Sequence, residues 1–155
     1  MTRIRVLLAD DHAVLRAGLR ALVDAEPDLD VVGEAATIPE AVERAAALEP
    51  DVLVLDLHMP GGDGVGAIGL IRAARPAARV LVLTMHDDAG YARATLAAGA
   101  GGYVVKTADA AELLAAIRAV HQGRTFVDVG PGPAAPAPPP PPGPGAGGYT
   151  REPAE

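Results

Sequence analysis

The chain has 155 residues, a formal net charge of −7, half of its residues apolar, one Phe, three Tyr, no Trp and no Cys. Without cysteine there is neither a disulfide framework nor a thiolate metal site, and an acidic chain with no Lys/Arg cluster is a poor nucleic-acid binder by itself. One domain's worth of chain with an aliphatic core suits layered helices and parallel strands better than an aromatic-rich β-sandwich.

Met-Thr-Arg-Ile-Arg-Val leads directly into a strand pattern rather than a signal peptide, and no apolar run approaches the ~20 residues of a membrane span. A cytoplasmic protein is the expectation. Five strand-like runs follow at intervals of roughly 20 to 25 residues: Ile4 to Ala9, Leu29 to Gly33, Val52 to Leu55, Val80 to Leu83 and Tyr103 to Val105. Helical periodicity lies between them. Val14, Leu15, Gly18, Leu19 and Leu22 are expected on one buried face, and Ile38, Ala41, Val42 and Ala45 on another. The segment from Asp63 to Ala74 is a weaker helix, because Gly64, Gly66 and Gly69 each cost helix stability. The last helix starts at Asp109 and is lined by Leu113, Leu114, Ile117 and Val120. Strict alternation of strand and helix predicts an α/β domain with a parallel sheet covered on both faces.

After Gly123 the composition changes. Ten of the fifteen prolines fall from Pro131 to Pro153, and Pro138 to Pro142 is unbroken. Such a segment is extended and has no core of its own. Residues 1–123 are therefore expected to form one domain, and 124–155 a Pro/Gly/Ala-rich linker or tail.

Chemistry collects at the carboxyl ends of the strands. The first run ends in Asp10-Asp11, the third in Asp56, the fourth in Thr84 and the fifth in Lys106. Ligands of open α/β sheets bind outside these strand ends. If the first and third strands are neighbours, three carboxylates converge on one crevice beside a hydroxyl and an ammonium. Three close carboxylates repel one another unless a cation is present, and a hard ion such as Mg²⁺ takes such oxygens together with waters and phosphate oxygens. A carboxylate beside that ion can attack a phosphoryl group and form an aspartyl phosphate.

Four stretches, LLADDHAVLRAGL, LVLDLHMPGGDG, VLVLTMHDD and AAGAGGYVVK, together resemble the receiver domain of bacterial two-component response regulators of the NarL/FixJ (LuxR-type) family. The resemblance runs from about Ile4 to Gly123. It implies a doubly wound, flavodoxin-like (βα)5 fold with a five-stranded sheet in the order 2-1-3-4-5. It also implies that Asp56 is the phosphoacceptor, that Asp10, Asp11, Asp56 and the backbone carbonyl of His58 bind Mg²⁺, and that Thr84 and Lys106 contact the phosphoryl group. Thr84 and Tyr103 match the family's switch pair, and Pro60 and Gly64 would shape the loop beside the site. The implied partner is a sensor histidine kinase, with dimerisation or release of a downstream domain as output. Relatives usually bind DNA through a helix-turn-helix domain of ~60 residues. Residues 124–155 hold no complete one, although Tyr149-Thr150-Arg151-Glu152 faintly matches the start of such a domain.

Each feature has a plainer reading. Asp10-Asp11 alone would be a helix cap with an acidic first turn, Lys106 a solvated lysine, and Tyr103 a half-buried aromatic against the fourth helix. The pattern Gly64-Val65-Gly66-Ala67-Ile68-Gly69 matches a dinucleotide fingerprint but lies inside a helix rather than directly after a strand, and no P-loop is present. His12, His58 and His86 flank the site motifs, yet its ligands are hard oxygens and loop histidines are usually only solvated. Two other functions remain in view. A Mg²⁺-dependent phosphohydrolase would need a substrate pocket that the short loops hardly allow. An interaction module independent of phosphorylation would be expected to lack an acidic residue or the lysine.

Overall fold

Strands made wholly of apolar residues still have two faces, and here each face has its own core. The computed structural model describes residues 3–84, 89–106 and 109–128. The elements are β1 (Ile4–Ala9), α1 (Ala13–Asp24), β2 (Leu29–Ala35), α2 (Ile38–Leu48), β3 (Val52–Leu55), α3 (Gly64–Ala74), β4 (Arg79–Thr84), α4 (Ala89–Ala97), β5 (Gly102–Val105), α5 (Ala110–His121) and β6 (Phe126–Asp128). All strand pairs are parallel, in the order β2-β1-β3-β4-β5-β6. Leu53 and Leu55 of β3 point into a core with Ile38 and Ala41 of α2 and Ala67, Ile68 and Ile71 of α3. Their neighbours Val52 and Val54 point the other way, to Leu19 and Val23 of α1 and Leu113, Ile117 and Val120 of α5. The period of two along a strand thus divides one hydrophobic run between two helical layers.

The structure departs from the expected architecture at three places. A sixth strand, β6, extends the expected five-stranded sheet: Phe126 pairs with Gly102 and Val127 with Tyr103. It is only three residues long, and its half-buried Phe126 packs on the α1/α5 core, so it carries no period-two signal of its own. Val14 is not on the buried face of α1 but 89 % exposed. It lies a helical step of about 100° from Leu15, on the side away from Val23, and Leu19 and Val23 are the residues of α1 that are fully buried. Third, β2 runs on two residues beyond Gly33 to Ala35.

The glycines of α3 do not prevent the helix. Asp63 caps it by accepting from the Gly66 N–H (3.1 Å), and full burial of Ala67, Ile68 and Ile71 outweighs the weak propensity. Gly64 is required sterically, since a Cβ there would stand 2.2 Å from the Leu57 carbonyl oxygen. The last helix starts at Asp109 as expected, and that residue caps it by accepting from the Glu112 N–H (2.8 Å).

Far from the strand ends, Arg118 of α5 donates to Asp28 (2.8 Å) and Glu26 (2.8 Å) and ties that helix to the turn before β2. The guanidinium holds the Asp28 carboxyl below its ordinary value of 3.8. A depressed carboxylate stabilises the fold above its ordinary value, and that contribution is lost as pH falls through the folded value. Arg118→Ala is expected to lower Tm by roughly 2–4 °C at neutral pH, with the gap to wild type closing below about pH 3.8, as followed by circular dichroism melts.

Candidate functional site

Sheet register builds the site. Ala9 pairs with Leu55, so the next residues, Asp10 and Asp56, leave adjacent strands side by side. The Asp56 N–H donates to the Ala9 carbonyl (2.9 Å) and the Asp10 N–H to the Ala35 carbonyl (2.9 Å). One strand pair further along, Thr84 pairs with Val105, and the Lys106 N–H donates to the Thr84 carbonyl (2.6 Å). Asp10, Asp11, Asp56, Thr84 and Lys106, predicted from strand ends, therefore meet at one edge of the sheet.

Both buried aspartates hold the same posture. Asp10 Oδ1 accepts from the His12 N–H (2.8 Å) and Asp56 Oδ1 from the His58 N–H (3.0 Å). Their Oδ2 atoms each lie 3.1 Å from Lys106 Nζ, and the lysine side chain is only 8 % exposed. Burial pulls the Lys106 ammonium down, but the Asp10 and Asp56 carboxylates beside it prevail and hold it above the ordinary lysine value. Two buried carboxylates facing one ammonium leave the crevice short of positive charge.

That shortage is what a cation would relieve. Asp10, Asp11, His12 and Asp56 each offer a ligand atom within 4.8 Å of the others, and Asp10 Oδ2 is buried and accepts no hydrogen bond, having only the ion pair with Lys106. A buried carboxylate oxygen whose one partner is an ammonium shared with a second carboxylate fits a hard divalent ion. Beside Asp11, a groove of about 610 Å³ floored by His58, Pro60 and Asp63 opens to solvent. The Pro60 carbonyl accepts from the Ile38 N–H (3.0 Å), and Gly61, at φ 103°, lies flat against Pro39, where a Cβ would sit 2.5 Å from the ring. These contacts fasten the loop after β3 to the start of α2.

Tyr103 and His12 differ from expectation. Tyr103 is fully buried rather than half-buried, inside the core formed with Val82, Ala92 and Ala100. Thr84 is also fully buried. His12 is not merely solvated: its Nδ1 stands 3.1 Å from Asp10 Oδ1 and 3.2 Å from Asp11 Oδ1. His58 is exposed and contributes its N–H to Asp56. Sequence reasoning passed over Arg16, whose Nη1 donates to the Asp10 carbonyl; an arginine next to Leu15 in an amphipathic helix carries no signal of that contact. His86 and the tail beyond Asp128 lie outside the described residues. No helix among the described residues is long and apolar enough to cross a membrane.

Known proteins are similar to this chain in sequence and fold. Residues 6–118 match the family model described as the response regulator receiver domain. The oxygen regulatory protein NreC of Staphylococcus haemolyticus is 40% identical over 127 residues, 81% of this chain and 58% of that protein; the chain thus spans little more than half the length of such relatives. A LuxR-family two-component response regulator from Aurantimonas sp. SI85-9A1 is 42% identical with a TM-score of 0.77, over 81% of this chain and 89% of that one. The signal receiver domain of the putative response regulator NarL from Mycobacterium tuberculosis is 32% identical with a TM-score of 0.76, over 80% of this chain and all of that one. With its flavodoxin-like parallel sheet and these similarities in sequence and fold, the chain belongs to the response regulator receiver domain family.

Proposed function

We propose that this chain accepts a phosphoryl group on Asp56 and passes the event on as a change of surface, as the receiver of a two-component phosphorelay. The observation that carries the reading is the Asp56 carboxylate at the rigid end of β3, 3.1 Å from the buried Lys106 ammonium that it shares with Asp10 Oδ2. The donor would be a phosphohistidine of a sensor histidine kinase. The Asp56 carboxylate oxygen attacks phosphorus, the phosphorus–nitrogen bond breaks, and its electron pair returns to the imidazole. Such a transfer is governed by positioning and by electrostatic stabilisation of the phosphoryl oxygens. The His58 N–H orients the nucleophile, Lys106 pairs with one phosphoryl oxygen, and the Thr84 hydroxyl donates to another. Mg²⁺ held by the Asp10, Asp11 and Asp56 carboxylates and the His58 carbonyl would neutralise the acidic cluster and take a third oxygen.

Thr84 and Tyr103 are the proposed switch. Tyr103 already stands inward in this structure, so phosphorylation would favour a state that is accessible beforehand, and a shift of a few kcal/mol suffices. The affected surface would be that of α4, β5 and α5, with homodimerisation or release of a joined domain as outcome. One solved relative is described as two RcsB dimers bound to two parallel DNAs. DNA contact and control of transcription are proposed only for longer proteins in which a helix-turn-helix domain follows such a receiver. The domain, expected to end at residue 123, would take in β6, whose residues Phe126–Asp128 pair with β5, and the linker would begin after it. A cytoplasmic location goes with this role.

Incubation with acetyl phosphate and Mg²⁺, followed by intact-protein mass measurement, tests the reading. Wild type should gain one phosphoryl group only with Mg²⁺, and Asp56→Asn should gain none. No gain on folded, Mg²⁺-loaded wild type would point instead to an interaction module independent of phosphorylation.

A further inference from the structure

We infer that Arg16 and Glu34 are positioning residues for the acidic pocket, holding the β1–α1 loop so that Asp10 and Asp11 stay aimed at a cation. The inference rests on the phosphoacceptor reading above. It starts from a gap in the capping pattern. Thr37, Asp63 and Asp109 each cap their helix with a side-chain oxygen, whereas His12 makes no side-chain cap at α1 and no acidic residue lies in its first turn. The nearby carboxylates are engaged elsewhere. Asp10 Oδ1 takes the His12 N–H, Asp10 Oδ2 faces Lys106, and the His12 ring lies against Asp10 and Asp11. A loop that commits its acids to a binding site cannot use them to fasten its own helix.

Arg16 supplies that fastening. Its Nη1 donates to the Asp10 carbonyl and its Nε to Glu34 Oε1 (2.7 Å). The other Glu34 oxygen is held by Arg20. Glu34 lies on β2 opposite Leu8, and the next residue, Ala35, accepts the Asp10 N–H. The Asp10 peptide groups are thus gripped on both sides by β2, through Ala35 directly and through the Glu34–Arg16 pair. The Arg16 side chain is 19 % exposed against 46 % for Arg20, so the inner arginine is the one on the site. A planar guanidinium can hold a carboxylate and a carbonyl at once, and a lysine ammonium on a different stem cannot reproduce that fork. Groups that orient metal ligands typically change metal affinity 10–100-fold when removed.

The test compares wild type, Arg16→Ala, Arg16→Lys, Glu34→Gln and Arg118→Ala, the last removing an ion pair far from the site. Amide exchange is read at residues 11–13 without metal, Mg²⁺ affinity by NMR titration, and phosphoryl uptake from acetyl phosphate across Mg²⁺ concentrations. Arg16→Ala should speed exchange at residues 11–13, weaken Mg²⁺ binding about 10-fold, and slow uptake at low Mg²⁺ with recovery at saturation. Arg16→Lys and Glu34→Gln should fall between it and wild type, and they carry the test if Arg16→Ala does not fold. Arg118→Ala should lose thermal stability with Mg²⁺ affinity unchanged. Wild-type Mg²⁺ affinity in the Arg16 and Glu34 variants would overturn the inference and leave the phosphoacceptor reading intact. A wild type that neither binds Mg²⁺ nor takes up phosphoryl would overturn both.

Discussion

Lys106→Ala is expected to destabilise the metal-free protein by about 3 kcal/mol at neutral pH and to slow phosphoryl uptake at Asp56 by about two orders of magnitude. The stability loss does not come from a broken surface pair. Asp10 and Asp56 are both buried, and Lys106 Nζ stands 3.1 Å from an oxygen of each. Removing the ammonium leaves two desolvated carboxylates facing one another, and an uncompensated buried charge is far more costly than a lost exposed ion pair. The pH dependence follows from the direction of the lysine shift. A group whose folded value is raised contributes fully below its ordinary value and loses the contribution as pH rises through the folded value. The advantage of wild type over Lys106→Ala should therefore persist across neutral and alkaline pH up to 10.5 and fade only above it. Because a divalent cation can replace the missing charge, Mg²⁺ should restore more stability to the variant than it adds to wild type. Urea unfolding with and without Mg²⁺ measures both effects. Equal stability of the two proteins without metal would contradict the account of the crescent of charge around Lys106.

Tyr103→Ala should lose about 4 kcal/mol, the second large effect. The side chain is fully buried in the core that also holds Val82, Ala92 and Ala100, so its removal leaves a cavity. Tyr103→Leu should cost roughly half as much, since an aliphatic side chain refills part of the volume. The result bears on the switch as well as on packing. Swinging the ring outward empties the same position, so the measured loss bounds the free energy that separates inward and outward forms. A loss near zero in urea unfolding would mean that the position is not packed as described, and the switch would then need a different inward state.

Much of this arrangement could be read without coordinates because of where the charges stand. Val52 to Leu55 is so apolar that an aspartate directly after it must face an edge of the sheet. Asp10 after Ala9 and Lys106 after Val105 repeat the same logic. Residues at consecutive strand ends become neighbours once the strands pair, and parallel pairing sets that neighbourhood through backbone hydrogen bonds alone. What escaped the reading depends on contacts between elements distant in sequence. β6 exists because β5 offers an unpaired edge and Phe126 finds the α5 core, neither of which is written in Phe126-Val127-Asp128 itself. Val14 looks like a core residue by type, and its exposure follows from how α1 is rotated about Leu19 and Val23. The depth of Tyr103 is decided by a core assembled from elements distant in sequence, Ala92 and Ala100 among its members. Arg16 becomes informative only when β2 brings Glu34 beside it.

The central claim is that Asp56 carries the phosphoryl group. Its most direct test is borohydride reduction after exposure to acetyl phosphate and Mg²⁺, which converts an acyl phosphate to an alcohol, followed by peptide mass mapping. The account predicts homoserine at position 56 in wild type, dependent on Mg²⁺, with Asp10 and Asp11 unaltered. Reduction at another carboxylate, or no reduced residue in folded protein with Mg²⁺ bound, would contradict it.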